Sequence, residues 1–272
     1  MDVAILLTTY NSSSFLDVLI QSIINQSYVE WTLYIRDDDS CDNTVEKIIH
    51  YTKLDTRILY LKDDKKRGAK NGFMWLLEQV DSDFYMFCDH DDVWLPDKVR
   101  VTLNKMLSCK DVDRVPIIVH TDLYITDLSL NILYDSFFNF YKIDYKKCND
   151  KKWYLFYNDV TGCTMMINKC AKKISLPISK YARMHDSWIA VCVLYNNGRI
   201  ECINDKTIYY RQHSNNTIGA KKKPLFISHF FKLLKHYKKT CSQYKCAKSL
   251  TSMNVIYFAV LKIYYFILSY AK

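Results

Sequence analysis

Short apolar runs alternate with amphipathic segments along the first hundred residues. The runs are rich in aliphatic and aromatic residues, which predicts buried strands, and the segments between them repeat apolar residues every three or four positions, which predicts helices. The predicted strands are Val3–Thr8, Trp31–Arg36, Ile58–Leu61 and Tyr85–Cys88. The predicted helices are Phe15–Asn25, Asn43–Tyr51 and Gly72–Val80. This alternation indicates an α/β fold with parallel strands, whose polar turns meet at the carboxyl ends of the strands.

Three carboxylates follow the predicted strand Tyr85–Cys88. They are Asp89, Asp91 and Asp92, and only His90 separates the first from the other two. Carboxylates held this close repel one another unless a cation lies between them. Mg²⁺ and Mn²⁺ prefer oxygen ligands and usually bind phosphates as well. The cluster therefore predicts a metal–diphosphate site at the sheet edge, with a solvated acidic turn as the alternative.

Composition narrows the class of protein. The chain has 272 residues, of which 49% are hydrophobic, enough for one large domain with an appendage. None of the ten cysteines forms a C-x-x-C pair, which favours reduced thiols in a cytosolic protein over disulfides or a zinc site. The strand Val3–Thr8 begins without a preceding basic region, so we expect no signal peptide.

Charge is distributed unevenly along the chain. Residues 206–272 contain 13 Lys and Arg and no Asp or Glu, whereas the net charge of the whole chain is +9. Such a basic tail favours an anionic partner. The segment Leu225–Lys239 has the pattern of a basic amphipathic helix, which suits an anionic bilayer surface. Interleaved apolar residues argue against nucleic acid as the partner.

The last apolar segment, Met253–Tyr270, carries a single charge, Lys262, near its middle. A lysine at the centre of a spanning helix costs about 3 kcal/mol, and the segment is short for a span. An interfacial or re-entrant helix is favoured. Packing against the body or against another subunit, and a true span, remain as alternatives.

A series of motifs resembles the inverting family-2 glycosyltransferases with the GT-A fold, and among them the bacterial rhamnosyltransferase-like members. The motifs occur in order between residues 3 and 220: TTYN (8–11), SIINQSY (22–28), RDDDSCD (36–42), GAKNGF (68–73), DHDDVWLPDK (89–98), HTDLYITD (120–127), VTGCTMMIN (160–168), MHDSWIA (184–190) and YRQHSNNTIGA (210–220). The resemblance implies a mostly parallel central sheet flanked by helices. It also implies a GT-A domain over 1–220, with a nucleotide-binding half (1–100) and an acceptor half (101–220), followed by a helical tail over 221–272.

The resemblance also implies roles for individual residues. Those expected to bind the nucleotide are Thr8, Tyr10, Asp37, Asp38, Asn71 and Asp89. Those expected to hold Mg²⁺ or Mn²⁺ are Asp89, Asp91 and His213. Those expected near the diphosphate, the donor sugar or the acceptor are Arg211, Asp92, Trp94, Gly162, Cys163 and His185. The residues that depart from the usual family pattern are His90, Asp39, Ser187 and Ser214, and none of them removes an expected ligand.

The general base expected from the resemblance is Asp186. In an inverting transfer, one carboxylate accepts the proton of the acceptor hydroxyl as its oxygen attacks the anomeric carbon. A second interpretation makes Asp186 the N-cap of a helix over Ser187–Leu194, and the two roles are compatible. The apolar strand before an Asp-x-Asp motif also fits aspartate-nucleophile phosphatases, and a membrane-tethered sugar-nucleotide sensor without turnover is a further alternative.

The expected function follows from these roles. The chain would transfer a sugar from a dTDP-rhamnose or UDP-sugar type of donor to a glycan or lipid-linked glycan, in the synthesis of cell-surface polysaccharide. We expect the protein in the cytoplasm, peripheral on the inner face of the cytoplasmic membrane. The tail over 221–272 would contact the anionic surface or join copies of the chain.

Overall fold

The computed structural model describes residues 1–143, 148–213 and 237–270. The strands are β1 (Val3–Thr9), β2 (Trp31–Asp37), β3 (Ile58–Tyr60), β4 (Phe84–Cys88), β5 (Val93–Trp94), β6 (Ile117–Thr126), β7 (Ile132–Tyr134), β8 (Met165–Asn168) and β9 (Arg199–Arg211). The helices are α1 (Ser13–Ile24), α2 (Thr44–Leu54), α3 (Gly68–Gln79), α4 (Lys98–Leu107), α5 (Phe137–Tyr141), α6 (Lys169–Ser175), α7 (His185–Tyr195), α8 (Tyr237–Leu250) and α9 (Val255–Tyr270).

The strands form one sheet in the order β3-β2-β1-β4-β8-β6-β9-β5, and β7 pairs with β6. The first four strands of this order are parallel, as the alternation of strands and helices predicted. Beyond β4 the sheet is mixed, because β8 runs antiparallel to both β4 and β6 while β9 runs parallel to β6. The α/β class is confirmed, and the parallel part coincides with the expected nucleotide-binding half.

Two hydrophobic cores cover the two faces of the sheet. Successive side chains of a strand point to opposite faces. In β1, Val3, Ile5 and Leu7 face the core that includes residues of α1, α2 and α4, whereas Ala4 and Leu6 face the core that includes residues of α3 and α7. All seven residues of β1 are buried, as expected of a central parallel strand covered on both faces.

Three features differ from the sequence predictions. Helix α3 begins at Gly68 rather than Gly72, and Gly68 has φ +69°, a left-handed conformation that glycine adopts easily. The short strand β5, which contains Trp94 and pairs with β9, has no counterpart among the predicted strands. Helix α7 begins at His185, with Met184 at the N-cap position, so Asp186 is not the N-cap and lies in the first turn of the helix.

The C-terminal helices α8 and α9 pack on the core that contains α3 and α7. Ala247 of α8 and Phe258, Leu261 and Tyr265 of α9 are buried in that core. Lys262 of α9 donates hydrogen bonds to the Thr240 hydroxyl (2.6 Å) and the Gln243 carbonyl oxygen (2.9 Å). Packing against the body, one of the alternatives for 253–270, is therefore observed for one face of α9.

Most of the predicted amphipathic segment 225–239, and the junction at 220–221, lie outside the described residues. In the described part of the chain, no single helix has the length and apolar composition of a membrane span. The pair Lys239–Leu250 and Val255–Ser269, bent by 115°, passes that test only when the two helices are taken together. All ten cysteines are free thiols, as expected.

Candidate active site

The sheet brings the predicted polar turns to one edge. Parallel pairing places Thr9 opposite Asp37 and Leu7 opposite Cys88, so the carboxyl ends of β1, β2 and β4 lie side by side. A cavity of about 630 Å³ opens at this edge. The predicted site residues that line it are Thr8, Asp89, Asp91, Gly162, His185 and Asp186. Residues from both halves of the sequence therefore meet around one cavity.

Asp37 and Asp38 shape the turn after β2. The Asp37 carboxylate accepts hydrogen bonds from the Thr9 hydroxyl (2.7 Å) and from the backbone N–H (2.8 Å) and hydroxyl (2.6 Å) of Ser40. Asp39 follows with φ +69°, which explains how Asp replaces the usual Gly, because Asp tolerates this region better than most residues. Asp37 therefore ties the end of β1 to the turn that the nucleotide was expected to contact.

Asp38 connects this turn to the start of α3. Its carboxylate accepts from the backbone N–H groups of Arg67 (2.7 Å) and Gly68 (2.9 Å) and from the Arg36 guanidinium (2.7 Å). Burial raises the pKa of Asp38, but these donors outweigh burial and leave the pKa below its usual value. The carboxylate is thus held ionised and fixed in orientation.

An ion-pair network that the sequence analysis did not predict supports Asp38. Arg36 is fully buried and donates from Nε to Asp63 (2.8 Å) as well as to Asp38. Hydrogen bonds from Arg67 and Arg36 hold the pKa of Asp63 well below its usual range, despite the opposing effect of burial. A Cβ on Gly72 would lie 3.0 Å from Arg36 Nη1, so this packing requires a glycine there or a shift of the guanidinium.

The acidic cluster lies at the end of β4. Oxygen atoms of Asp89 and Asp92 and the Cys163 sulfur all lie within 4.8 Å of one another. Burial and then the charges of Asp91 and Asp186 raise the pKa of Asp89 to about 7. Burial and the charges of Asp91 and Asp89 raise the pKa of Asp92 well above its usual range. A cation would relieve this repulsion.

Asp91 points toward the end of β9. Its Oδ2 lies 2.8 Å from Nε2 of His213, whose ring stacks on Phe15 at 5.2 Å between centroids. The guanidinium of Arg211 lies 4.9 Å from the centre of the same Phe15 ring. The Phe15 ring thus packs against both His213 and Arg211 beside Asp91, although 122 residues separate Asp91 from His213 along the chain.

The predicted donor atoms suit a hard divalent cation by their chemistry, whereas the ligand atoms that lie within 4.8 Å of one another, among the described residues, belong to Asp89, Asp92 and Cys163. Asp89 and Asp91 offer carboxylate oxygens and His213 an imidazole nitrogen, ligands that suit Mn²⁺ and, for the oxygens, Mg²⁺. Both oxygens of Asp92 are buried without a hydrogen-bond partner among the described residues. Cys163 suits such a cation less well, since burial and the nearby charges of Asp92 and Asp89 raise its thiol pKa. We therefore interpret Cys163 as a side chain that packs beside the carboxylates and not as a metal ligand.

Asp186 faces the cavity from the first turn of α7. Its Oδ1 accepts from the Ser187 backbone N–H (2.5 Å), and burial raises the carboxyl pKa to about 6, against the opposing effect of hydrogen bonds from Ser187 and Gly162. A carboxylate with this pKa is ionised at neutral pH and more basic than an exposed Asp. The position and the basicity both suit a general base.

His185 lines the cavity next to Asp186 and is almost fully buried. Its ring lies 4.4 Å from that of Phe73 and 5.0 Å from that of Phe87, and burial lowers its pKa to about 3. A Cβ on Gly162 would lie 2.6 Å from His185 Nε2, so this close approach requires glycine. The neutral imidazole and Gly162 thus pack together directly behind Asp186.

Among the described residues, the other predicted site residues do not line the cavity. Tyr10 is exposed beside the end of β1, with Lys66 Nζ 4.5 Å from its ring centre. Asn71 lies in the first turn of α3, where its amide donates to the Arg67 carbonyl (3.3 Å). Trp94 is buried in the core on the α1 side of the sheet.

Another wall of the cavity was missed by the sequence analysis. It comprises the segment 153–160, the loop 181–184 and residues of α8, including Lys239, Gln243 and Ala247. The basic pattern of the tail predicted a membrane surface as its partner instead. The one usable signal was Lys262, since a charge inside an apolar segment requires polar partners, and it finds them in α8.

Comparison with known proteins identifies the family to which the chain belongs. The model for "Glycosyl transferase family 2" matches residues 4–175. The UDP-Glc:alpha-D-GlcNAc-diphosphoundecaprenol beta-1,3-glucosyltransferase WfgD of Escherichia coli is 32% identical over 106 residues, which are 39% of this chain and 41% of that protein. The chain thus spans about two fifths of the length of this relative.

Two further similarities extend over more of the chain. The dTDP-rhamnosyl transferase RfbG of Shigella flexneri is 26% identical over 232 residues, which are 79% of this chain and 74% of that protein. The solved structure of the mannosyltransferase PcManGT from Pyrobaculum calidifontis, in complex with GDP-Man and Mn²⁺, has a TM-score of 0.61 at 14% identity and covers 99% of this chain and 86% of its own. That structure supports the GT-A fold. Since the family model matches well over half of the residues, the chain belongs to glycosyl transferase family 2.

Proposed function

We propose that this protein is a metal-dependent, inverting glycosyltransferase that transfers a sugar from a nucleotide diphospho-sugar to a hydroxyl group of a lipid-linked glycan. Family membership supports the reaction type. The single observation that carries the mechanism is that Asp186 and the carboxylates Asp89 and Asp91 line the same cavity. A base for the acceptor and ligands for the donor would thereby be available in one site.

In this proposal Asp186 accepts the proton of the acceptor hydroxyl. The oxygen then forms a bond to the anomeric carbon while the bond to the diphosphate breaks on the opposite side of the sugar, which inverts the configuration. Burial raises the pKa of Asp186 to about 6, so the residue is a stronger base than an exposed Asp and is still ionised at neutral pH. The packing of His185 against Gly162 fixes the helix turn that carries it.

Asp89, Asp91 and His213 would hold Mg²⁺ or Mn²⁺, which when bound supplies positive charge to the departing diphosphate. Arg211 is buried close enough to Asp91 and Asp92 for their charges to act on its pKa, against the lowering effect of burial. We propose that Arg211 also contacts the diphosphate. Thr8, Tyr10, Asp37, Asp38 and Asn71 would border the nucleotide.

The donor and acceptor classes rest on the relatives. WfgD acts with UDP-Glc on a diphosphoundecaprenol-linked sugar, and RfbG is a dTDP-rhamnosyl transferase. We propose a UDP-sugar or dTDP-rhamnose type of donor, with the acceptor presented at the inner face of the cytoplasmic membrane during synthesis of surface polysaccharide. The phosphatase alternative loses its support with the family assignment, and the sensor alternative does not account for a base at Asp186.

A thermal-shift panel tests the donor assignment. UDP-, dTDP- and GDP-sugars would each be added with and without Mn²⁺ to the full chain. We expect one base to stabilise the protein and expect that stabilisation to require the metal. Stabilisation of equal size by all three bases, or without metal, would contradict the proposal.

We further propose that the exposed face of α9 contacts an anionic membrane surface. Ile256, Val260, Ile263 and Ile267 are each more than half exposed and recur every three or four residues. Co-sedimentation with anionic vesicles should fall when Ile263 is replaced by Glu. Unchanged sedimentation together with loss of a dimer in light scattering would assign this face to a second copy of the chain instead.

A further inference from the structure

Arg36 is a buried cation near the carboxyl end of β2. Its Nε donates to the Asp63 carboxylate (2.8 Å) and its Nη2 donates to the Asp38 carboxylate (2.7 Å). Its Nη1 is buried and has no hydrogen-bond partner among the described residues. An unsatisfied buried N–H group destabilises a fold, and a buried ion pair is often no more stabilising than apolar side chains of the same size. Stability alone therefore does not account for an arginine at this position.

The guanidinium lies directly behind residues that line the cavity. A Cβ on Gly72 would lie 3.0 Å from Arg36 Nη1 and 3.1 Å from the methyl carbon of Thr8, so these groups pack around the same point. Thr8 lines the cavity, and so does Ala69, which follows the first residue of α3. Arg36 is thus packed close behind the cavity wall, at the ends of β1 and β2.

The Asp38 carboxylate has one acceptor position left. Its Oδ1 accepts from Arg36 Nη2 (2.7 Å) and from the Arg67 backbone N–H (2.7 Å), and its Oδ2 accepts from the Gly68 backbone N–H (2.9 Å). An ionised carboxylate can accept about four hydrogen bonds, two on each oxygen. One further donor can therefore bind to Asp38, and the free position is on Oδ2.

A single free acceptor position distinguishes between nucleobases. Uracil and thymine present one imide N–H between two carbonyl oxygens. Guanine presents two adjacent N–H groups, which suit the two oxygens of one carboxylate, and cytosine presents no ring N–H. Because Oδ1 is filled, Asp38 can satisfy the one donor of uracil or thymine but leaves one donor of guanine without a partner. A polar group that binding leaves unpaired lowers affinity.

Arg36 also fixes the loop that supplies the other donors to Asp38. Its Nη2 donates to the Lys65 carbonyl as well, and Asp63 accepts from both Arg36 and Arg67. Two arginines and two aspartates therefore form one network with balanced charge. Loss of the Arg36 guanidinium would empty a position on Oδ1 of Asp38 and would release the loop from β2.

We propose that Arg36 is a positioning residue that makes the nucleotide subsite selective for uracil or thymine over guanine. It does so by filling Oδ1 of Asp38 and by orienting Oδ2 toward the base. This inference rests on the proposed function, in which Asp38 borders the nucleotide, and it names the residue that determines the choice of base. Arg36 itself does not contact the donor, because it acts through Asp38.

The test is a calorimetric titration of UDP, dTDP and GDP into the full chain at saturating Mn²⁺. Arg36→Lys keeps the charge but loses the planar guanidinium that reaches both carboxylates. The double variant Arg36→Met/Asp63→Asn removes one cation and one anion together, so the network stays balanced in charge. We expect both variants to bind the preferred pyrimidine nucleotide at least about tenfold more weakly, the size of one charge-assisted hydrogen bond, and to bind GDP within about twofold of the wild type.

A double-mutant cycle tests whether Arg36 acts through Asp38. Asp38→Asn should itself weaken binding of the pyrimidine nucleotide, and adding Arg36→Lys to it should cause little further loss, because the two residues act as one unit. Arg57→Met is the matched control. Arg57 pairs with Asp55 (2.7 Å) at the amino end of β3, away from the cavity, so this variant should bind all three nucleotides like the wild type.

Three results would overturn the inference: an unchanged ratio of pyrimidine nucleotide to GDP affinity in both Arg36 variants, fully additive losses in the cycle, or the same loss of selectivity in Arg57→Met. Circular dichroism of each sample establishes that the proteins compared are folded. A wild-type chain that binds none of the three nucleotides would overturn the proposed function itself. Nucleotide binding with an unchanged ratio would overturn this inference alone.

Discussion

The proposed donor side and the proposed acceptor side of the cavity are built in different ways. The donor side uses residues directly after three parallel strands, around Thr8, Asp37 and Asp89, and ion pairs such as Arg36–Asp63 hold it. The acceptor side combines segments distant in sequence, 153–160, 181–186 and α8, and apolar packing with single polar contacts holds it. The polar residues of the donor side directly follow predicted strands, so short sequence patterns identify them. The acceptor side depends on where the C-terminal helices pack.

The largest effect should come from the residue where the two sides meet. Replacing Asp186 by Asn removes the base but keeps the shape of the side chain. Transfer should fall by about 10³-fold, within the usual contribution of a general base. Metal-dependent stabilisation by the donor should persist in a thermal-shift assay. Lost donor binding would instead place Asp186 on the donor side.

The acceptor side should depend on the packing of α9. Phe258 is 2% exposed, and its ring lies 5.1 Å from that of Phe156 in the cavity wall. Phe258→Ala should lower the free energy of unfolding by about 3–5 kcal/mol, because it leaves a cavity in the core. Ile256→Ala is the control, since Ile256 is 74% exposed and should change stability by less than about 0.5 kcal/mol. Urea unfolding measures both, and equal effects would mean that α9 does not pack on the body.

A smaller effect should appear with pH. Because burial raises the pKa of Asp186 to about 6, its carboxyl becomes protonated below that pH and can no longer accept the hydroxyl proton. The value of kcat/KM should therefore fall about tenfold per pH unit below about pH 6 and level off above it. A rate profile at saturating metal measures this. A fall that begins only near pH 4 would show that Asp186 is not the group that titrates.

Sequence reasoning predicted much of the donor side for a physical reason. Buried parallel strands are continuous apolar runs, so their ends, and the polar residues that follow, are visible in the chain. The strands β1 to β4 and the helices between them were found with small errors at their ends. The predicted start of helix α3 was four residues too late. At the true start, Gly68 has a left-handed conformation and donates its backbone N–H to Asp38, a contact with a distant turn that the local pattern does not show.

The rest could not be predicted, since it depends on contacts between distant segments. The strand β8 inserts between β4 and β6 in antiparallel orientation, and no local pattern encodes that order. The apolar face of α9 has the same periodicity whether it meets lipid or protein. In the structure, the burial of Phe258, Leu261 and Tyr265 in the core shows that one face of α9 packs on the body.

We propose above all that Asp89 and Asp91 would hold a dication that supplies positive charge to the donor diphosphate, and a Mn²⁺ titration followed by electron paramagnetic resonance tests this most directly. With UDP or dTDP present, the account predicts tight binding of one Mn²⁺ to the wild type and at least about tenfold weaker binding to Asp91→Asn. Equal affinity of Mn²⁺ for both proteins, or equal affinity with and without the nucleotide, would contradict this prediction.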